Sequence, residues 1–117
     1  MAYKDSIMAT PHRPPAAVTR SLRKLGVDLH EARRRRRLPM AIVAERAFTS
    51  RSTLQRVEAG DTSVSIGIYA AVLQALGLLD GLGDLADIRN DKVGQTLMAA
   101  ALPKRARIRR SSDKTDA

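Results

Sequence analysis

Four polar side chains are spaced so that they share one face of a short predicted helix. They are Arg51, Ser52, Gln55 and Arg56. Leu54 and Val57 mark the opposite face, which the apolar spacing predicts to be buried. Arginine forks match the O6 and N7 acceptors of guanine, and a helix fits the width of the major groove. We therefore predict that the four side chains contact base edges in double-stranded DNA.

A second group of polar and cationic side chains is predicted to contact DNA phosphates. It comprises Ser50, Thr53, Thr62, Ser63, Ser65, Arg34 and Arg37. The helix that begins after Ser65 directs free N–H groups toward an anion at its N-terminus. Ordinary turn and capping roles explain the Ser and Thr residues equally well. For the arginines, a solvated helix face and phosphate contacts stay equally open, because a run of charges is ambiguous by itself.

Side chains that could support catalysis or hold a metal are few and scattered. The two histidines are His12, in a proline-rich segment, and His30, on the first predicted helix, and the chain contains no cysteine. General acid–base chemistry needs such a group positioned beside the reacting atoms, and no metal-ligand spacing appears. We therefore expect no enzymatic activity, no cofactor and no metal site, and we expect His30 to have a structural role.

Two short helices joined by a corner, predicted between Met40 and Gly60, hold the polar face in position. The apolar residues of the first recur at three and four residues and are Met40, Val43, Ala44 and Ala47. Ser50 is expected to begin the second helix as its N-cap, and Gly60 is expected to end it. Helices this short are marginal in water, so packing against neighbouring helices must stabilise them.

An amphipathic helix of about five turns is predicted before this pair. Its buried face carries Val18, Leu22, Leu25, Leu29 and Ala32. It continues into a run of five arginines from Arg33 to Arg37, which wind around all sides of a helix and so cannot share one role. Cations at the end of a helix also interact favourably with its dipole, which needs no DNA.

Three further helices are predicted after the pair. The first is capped by Ser65 and buries Ile66, Tyr69, Leu73 and Leu76. The second contains Leu78, Leu79, Leu82, Leu85 and Ala86, with aspartates on its outer side. Asp91 is expected to cap the last. The predicted fold is therefore all-α, a bundle of five to six helices.

The chain divides by composition into three parts. We predict a disordered lead over residues 1–16, a helical DNA-binding domain over 17–102 and a basic tail over 103–117. In the tail, residues 106–110 alternate arginine with other side chains, which indicates a short strand. Two interpretations stay open: a strand that pairs with its copy across a homodimer, and a disordered basic tail.

Charge is concentrated at the two ends of this 117-residue chain. Its formal net charge is +9, with ten basic and three acidic residues in 1–37 and six basic and two acidic residues in 104–117. This distribution favours an anionic partner. The sequence contains no signal-peptide pattern and no apolar stretch of the length that a bilayer requires. We expect a protein of the cytoplasm, with no membrane partner.

The stretch from Met40 to Gly60 resembles a Cro/XRE-type helix-turn-helix, the fold of lambda-repressor-like proteins. RSTL at 51–54 is a common opening of its recognition helix, and EAG at 58–60 matches its end. The resemblance implies a partly buried ion pair between Arg33 and Glu58.

Two positions depart from the family pattern. The corner usually has Gly followed by Val or Ile, whereas this chain has Phe48 and Thr49. A residue other than glycine is strained at positive φ, so we expect a wider corner. Met40 replaces a frequent glutamine that would contact a phosphate.

The longer run over residues 22–110 is similar to antitoxins of the HipB type. The segments that carry the similarity are SVSIGIYAAVLQALGLLDGLGDLAD at 63–87, DKVGQ at 91–95 and LPKR at 102–105. This resemblance implies a homodimer that binds a palindromic operator at the nucleoid, represses its own operon and inhibits a HipA-like serine/threonine-kinase toxin. A stand-alone repressor without a toxin, and a helical protein-interaction module with non-specific nucleic-acid affinity, stay open as alternatives.

Overall fold

A computed structural model describes residues 13–102 of the chain, and every regular element in that range is helical. The elements are α1 Ala16–Arg35, α2 Met40–Arg46, α3 Arg51–Glu58, α4 Ile66–Ala75, α5 Asp80–Gly83, a 3-10 helix Ile88–Asn90 and α6 Lys92–Ala101. The all-α prediction is confirmed for these residues. The predicted strand at 106–110, the basic tail and residues 1–12 of the predicted lead lie outside the described range. Two compact units are present, residues 13–79 and 80–102.

Helices α1 to α4 form the first unit around a small aliphatic core. Its buried residues are Leu29, Ala32, Val43, Ala44, Ala47, Leu54, Val57, Val64, Tyr69, Val72 and Leu76. In this core, α3 packs against α1 and α2, and α2 packs against α4. The periodicity of α2 and α3 therefore predicted the correct faces, since Val43, Leu54 and Val57 are fully buried.

Helix α1 and the end of α3 approach each other backbone to backbone at two glycines. A Cβ atom on Gly26 would lie 2.6 Å from the Glu58 carbonyl oxygen and 2.6 Å from the Gly60 nitrogen. A Cβ atom on Gly60 would lie 2.5 Å from the Leu22 carbonyl oxygen. Gly60 also has φ 74°, so it ends the α3 segment in the left-handed conformation, as predicted. Gly26 was not identified from the sequence.

The corner between α2 and α3 is tight, and the expectation of a wider corner is wrong. Phe48 itself takes φ 55°. The Thr49 N–H donates to the Ala44 carbonyl at 2.9 Å, and the Phe48 N–H donates to the Glu45 carbonyl at 3.1 Å. This bond pair is the Schellman motif, which usually has glycine at the left-handed position. The paired backbone groups hold Phe48 there despite the cost of its Cβ atom.

Two apolar residues that were predicted to be buried are exposed. Ile66 is the first residue of α4, and Val18 lies in the first turn of α1. Helical side chains point toward the N-terminus of their helix. A first-turn side chain therefore extends past the neighbouring helices, while later residues such as Tyr69 and Val72 lie in the core.

The second unit is less regular than predicted. The fifth helix shortens to Asp80–Gly83, and Leu85 is exposed. Gly81 and Gly83 explain the shortening, because each lowers helix stability by about 1 kcal/mol relative to alanine. The Asp91 side chain accepts a hydrogen bond from the Gly94 N–H at 2.8 Å, which confirms the predicted cap of the last helix.

No helix within residues 13–102 combines the length and the apolar character needed to cross a membrane.

Candidate nucleic-acid interface

Helix α3 is fixed from behind and capped at its start. Leu54 and Val57 are fully buried against the other helices of the first unit. The Ser50 side chain accepts a hydrogen bond from the Thr53 N–H at 3.1 Å, which is the predicted N-cap. The Ser50 hydroxyl also lies 2.9 Å from the Thr53 hydroxyl and 3.1 Å from the Ser52 hydroxyl. The helix therefore presents one defined face outward, with a cluster of three hydroxyls at its N-terminus.

Three of the four predicted base-contacting residues have side chains directed to solvent. Arg51, Ser52 and Gln55 are exposed. Within residues 13–102, no group forms a hydrogen bond or ion pair with the Arg51 guanidinium or the Gln55 amide. Both side chains therefore have all their hydrogen-bonding groups available to a partner. Arg51 lies at the first position of α3, nearest to the corner.

The fourth residue, Arg56, is bonded to the loop that follows α3. Its Nε donates to Asp61 Oδ2 at 2.8 Å, and its Nη2 donates to Ser63 Oγ at 2.7 Å. The Ser63 N–H and hydroxyl donate in turn to Asp61 Oδ1, at 2.8 and 2.7 Å. We call Arg56, Asp61 and Ser63 the Asp61 cluster. Sequence analysis identified Arg56 and Ser63 but not the aspartate between them.

Electrostatics and a buried tyrosine stabilise the Asp61 cluster. The hydrogen bonds from Ser63, and then that from Arg56, lower the pKa of Asp61 well below its usual range. The Tyr69 hydroxyl donates to the Asp61 carbonyl oxygen at 2.7 Å. Burial, together with the nearby Asp61 charge, raises the pKa of Tyr69. Asp61 is therefore a carboxylate at neutral pH, and its backbone is anchored to the core.

Arg33 and Glu58, the predicted ion pair, join α1 to the last residue of α3. Arg33 Nε lies 2.7 Å from Glu58 Oε2, and Arg33 Nη2 lies 3.1 Å from Oε1. Burial alone would raise the pKa of Glu58, but the hydrogen bonds from Arg33 and His30 outweigh it, and the pKa is lowered. Arg33 also donates to the Leu38 carbonyl oxygen at 3.1 Å, so one side chain ties α1, α3 and the start of α2 together.

His30 is the third member of this group, and sequence analysis did not connect it with Glu58. Its Nδ1 lies 2.8 Å from Glu58 Oε1. Because an ionised carboxylate only accepts hydrogen bonds, Nδ1 carries the proton and donates. The 3.3 Å approach of Arg33 Nη2 to the same nitrogen is then a contact between two donors. His30 is thus a half-buried structural residue in the described range.

The remaining residues predicted to contact phosphates differ in whether their side chains form hydrogen bonds within the described range. Arg34 and Arg37 are exposed, and no residue in the described range bonds either guanidinium. Thr62 is exposed in the loop, whereas the Ser65 hydroxyl accepts from the Ile68 N–H at 3.3 Å as the cap of α4. Arg36 donates to the Ala32 carbonyl at 2.9 Å and closes the end of α1.

The outward side chains around α3 offer hydrogen-bond donors and positive charge. Among residues 13–102, no three His, Asp or Glu side chains come together as a metal site would need. Within the described residues, the exposed face of α3 therefore carries donors and positive charge suited to an anionic, hydrogen-bonding surface. Because the opposite face of the helix is buried in the core, these groups all lie on one side of α3.

Comparison with known protein families identifies a family whose model matches the chain. A family model described as a helix-turn-helix domain matches residues 24–87, which is more than half of the chain. The matched range includes α2, α3 and α4 in full, and it includes both partners of the Arg33–Glu58 pair. No curated protein and no solved structure matches the chain.

Proposed function

The chain belongs to the helix-turn-helix domain family of DNA-binding regulators, and on that premise we propose that it is a sequence-specific transcriptional repressor. One observation carries the proposal: α3 is buried on one side, and on the other it presents Arg51 and Gln55 side chains that no group within residues 13–102 bonds. In helix-turn-helix proteins, the N-terminal residues of the second helix contact base edges. Arg51 occupies the first position of that helix.

We assign a different base-recognition role to each free side chain of α3. Arg51 fits the O6 and N7 acceptors of guanine, and Gln55 fits the N6 and N7 groups of adenine. Ser52 can donate to or accept from either base. Arg56 uses two of its five N–H donors within the Asp61 cluster. We propose that its remaining donors reach DNA while Asp61 and Ser63 hold the guanidinium plane in one orientation.

Phosphate contacts complete the proposed interface. Thr62, Ser63 and Ser65 surround the start of α4, where backbone N–H groups favour an anion. Arg34 and Arg37 supply exposed cations at the end of α1. Such contacts fix the register of the protein on DNA without distinguishing sequences. Each contact from an arginine adds about 0.9 to the slope of log affinity against log salt concentration, because it releases a counterion from the neutralised phosphate.

We propose a homodimer on a palindromic operator. One helix-turn-helix module contacts few base pairs, and paired modules bind half-sites about one helical turn apart. The second unit also exposes five large apolar side chains, which are Leu85, Ile88, Val93, Leu97 and Met98. Contiguous exposed apolar surface marks interaction sites. We propose that a second copy of the chain covers these side chains.

Footprinting on the chain's own upstream region tests the DNA-binding proposal. Arg51→Ala should reduce the preference for the operator over a scrambled duplex by about 1 to 3 kcal/mol. Arg34→Ala, which removes the same charge away from α3, is the matched control. It should weaken both duplexes equally and lower the salt slope by about 1. Equal losses on both duplexes for Arg51→Ala would contradict the assignment of α3, and absence of a protected palindrome would favour the interaction-module alternative.

Within this function, we propose the narrower role of an autoregulating antitoxin for a HipA-like serine/threonine kinase. The similarity of residues 63–87 and 91–95 to HipB-type antitoxins supports it. Exposed Asp80 and Asp84 in the second unit suit a basic partner surface. A kinase-like gene beside this one, whose product is inhibited by the chain and changes its gel shift, would support the role. A neighbourhood without a kinase gene favours the stand-alone repressor.

A further inference from the structure

Phe48 combines two unfavourable features at the corner between α2 and α3. Its φ of 55° is left-handed, which disfavours any side chain that has a Cβ atom. Its side chain is also 96% exposed, so an aromatic ring stands in water. A glycine would remove both costs while leaving the Schellman bonds intact. The ring therefore adds nothing to the packing of the first unit.

The end of α1 offers an internal comparison for this corner. Arg37 has φ 54°, and the Leu38 N–H donates to the Arg33 carbonyl at 3.2 Å in the same Schellman pattern. At Arg37 the exposed side chain is charged and well hydrated, so only the backbone is unfavourable. At Phe48 the side chain is unfavourable as well. The difference points to a partner that covers the ring.

The position of Phe48 indicates what that partner is. Arg51 is three positions after Phe48, so their Cα atoms lie within about 11 Å. Successive base pairs are about 3.4 Å apart, so the Cα atoms of the two residues are separated by no more than about three base-pair steps. Arg46 and Arg51, two positions before and three positions after Phe48, are exposed, as is Glu45, and no residue in the described range bonds either guanidinium. Two cations against one carboxylate leave a net positive charge next to Phe48 in sequence, which favours DNA over an apolar protein surface.

We propose that Phe48 is a specificity residue that contacts the C5-methyl group of a thymine in the major groove. This inference rests on the proposed DNA-binding function and extends it to a base that α3 does not reach. Apolar side chains distinguish thymine through this methyl group, because the other bases lack it. Covering the ring and the methyl group removes apolar surface of both from water.

Replacing thymine by uracil tests the proposal, because uracil lacks only the methyl group. Each thymine of the footprinted operator is replaced in turn, and affinity is measured by gel shift for the full-length chain. In the wild type, one thymine position per half-site should lose about fourfold in affinity when its methyl group is absent. Phe48→Ala and Phe48→Gly should bind the thymine and uracil operators equally.

Stability measurements separate this effect from misfolding. Phe48→Gly should raise the thermal midpoint by about 4 °C, because glycine takes the left-handed conformation without a Cβ penalty. Arg37→Gly is the matched control, since it relieves the same backbone cost at the other corner. It should gain similar stability and bind all duplexes more weakly, but it should keep the fourfold uracil effect.

Three results would overturn the proposal while leaving the proposed function intact. The first is a wild type that protects an operator with Arg51-dependent specificity but shows no uracil effect at any position. The second is a uracil effect that persists in Phe48→Gly. The third is a Phe48→Gly variant that keeps its DNA binding and loses only a protein partner. A wild type that protects no operator at all would overturn the proposed function and this inference together.

Discussion

Two arginine–carboxylate pairs of nearly equal length have their carboxylates at the end of α3 and in the loop after it, but they lie in different surroundings. Arg33 and Glu58 meet at 2.7 Å with side chains that are 12% and 9% exposed. Arg56 and Asp61 meet at 2.8 Å with side chains that are 50% and 31% exposed. The first pair joins two helices across the core, whereas the second joins neighbours in sequence at the surface.

The two ion pairs have different roles because their side chains differ in solvent exposure. If one partner of a buried pair is removed, the other charge stays in a low-dielectric environment without compensation. At the surface, water and salt screen the same interaction. We infer that the Arg33–Glu58 pair mainly sets the position of α3 relative to α1. The Arg56–Asp61 pair mainly orients a cation at the edge of the interface.

The largest expected difference between the pairs is in stability. Glu58→Ala leaves Arg33 and His30 without their shared acceptor, so we expect it to lower the free energy of unfolding by about 3 kcal/mol. Asp61→Ala should leave the chain nearly as stable as the wild type. Urea titrations of both variants measure the difference. Equal losses would show that burial does not distinguish the two pairs.

A second change disturbs the Arg33–Glu58 pair by moving the backbones of α1 and α3 apart. Gly26→Ala places a methyl group against the Glu58 carbonyl and the Gly60 nitrogen, so α1 and α3 must separate. We expect a loss of about 2 kcal/mol, which is typical of overpacking. Gly67→Ala is the control, because its methyl group would meet only the Ser65 hydroxyl at 3.8 Å. As a replacement within a helix it should be neutral or stabilising. Similar losses in both variants would contradict the close crossing.

The dependence of stability on pH gives a smaller effect with a definite sign. The pKa of Glu58 is lowered from its ordinary value of 4.5 in the folded protein. Its contribution is therefore complete above pH 4.5 and is lost as the pH falls through the folded pKa. We expect thermal melts of the wild type to show this acid loss and those of Glu58→Gln to show less of it.

Salt should separate the two carboxylates in the same acid range. The pKa of Asp61 is also lowered, so its contribution disappears in the same direction as the pH falls. Because the Arg56–Asp61 pair is exposed, 1 M salt should reduce the difference between wild type and Asp61→Asn. The difference between wild type and Glu58→Gln should survive that salt concentration. The opposite pattern would contradict the roles assigned to the two pairs.

The smallest expected effect is on DNA affinity. Asp61→Asn removes one negative charge near the proposed phosphate contacts, so binding to operator and scrambled duplexes should both strengthen, with a change in salt slope of about 1. Its preference for the operator should fall, because Arg56 loses its orienting partner. Asp28→Asn, which removes an exposed carboxylate bonded to Lys24, is the control. Asp28→Asn should leave the preference for the operator unchanged. If Asp61→Asn also leaves that preference unchanged, Asp61 does not orient Arg56.

The order of helices and the identity of the recognition-type helix were predictable because the relevant interactions are local. Ser50, Ser65 and Asp91 each accept from a backbone N–H three residues later. Such contacts depend only on the sequence around them. The apolar period of α3 likewise predicted its buried face. In the second unit, two glycines overrode an apolar pattern, and the predicted helix from Leu78 to Ala86 became four residues of α5.

For α2 and α3, sequence by itself determined that helices form, which faces they bury and which polar side chains α3 carries. Only the tertiary structure decided that Gly26 lies against Gly60, that His30 donates to Glu58 and that Arg56 is bonded to the following loop. The first two contacts join residues about thirty positions apart, so they depend on the crossing of α1 and α3. The third depends on a loop conformation that Tyr69 fixes from the core. The period of apolar residues predicts which face of a helix is buried. It does not predict how two helices cross, and that crossing determines which residues of α1 contact the end of α3.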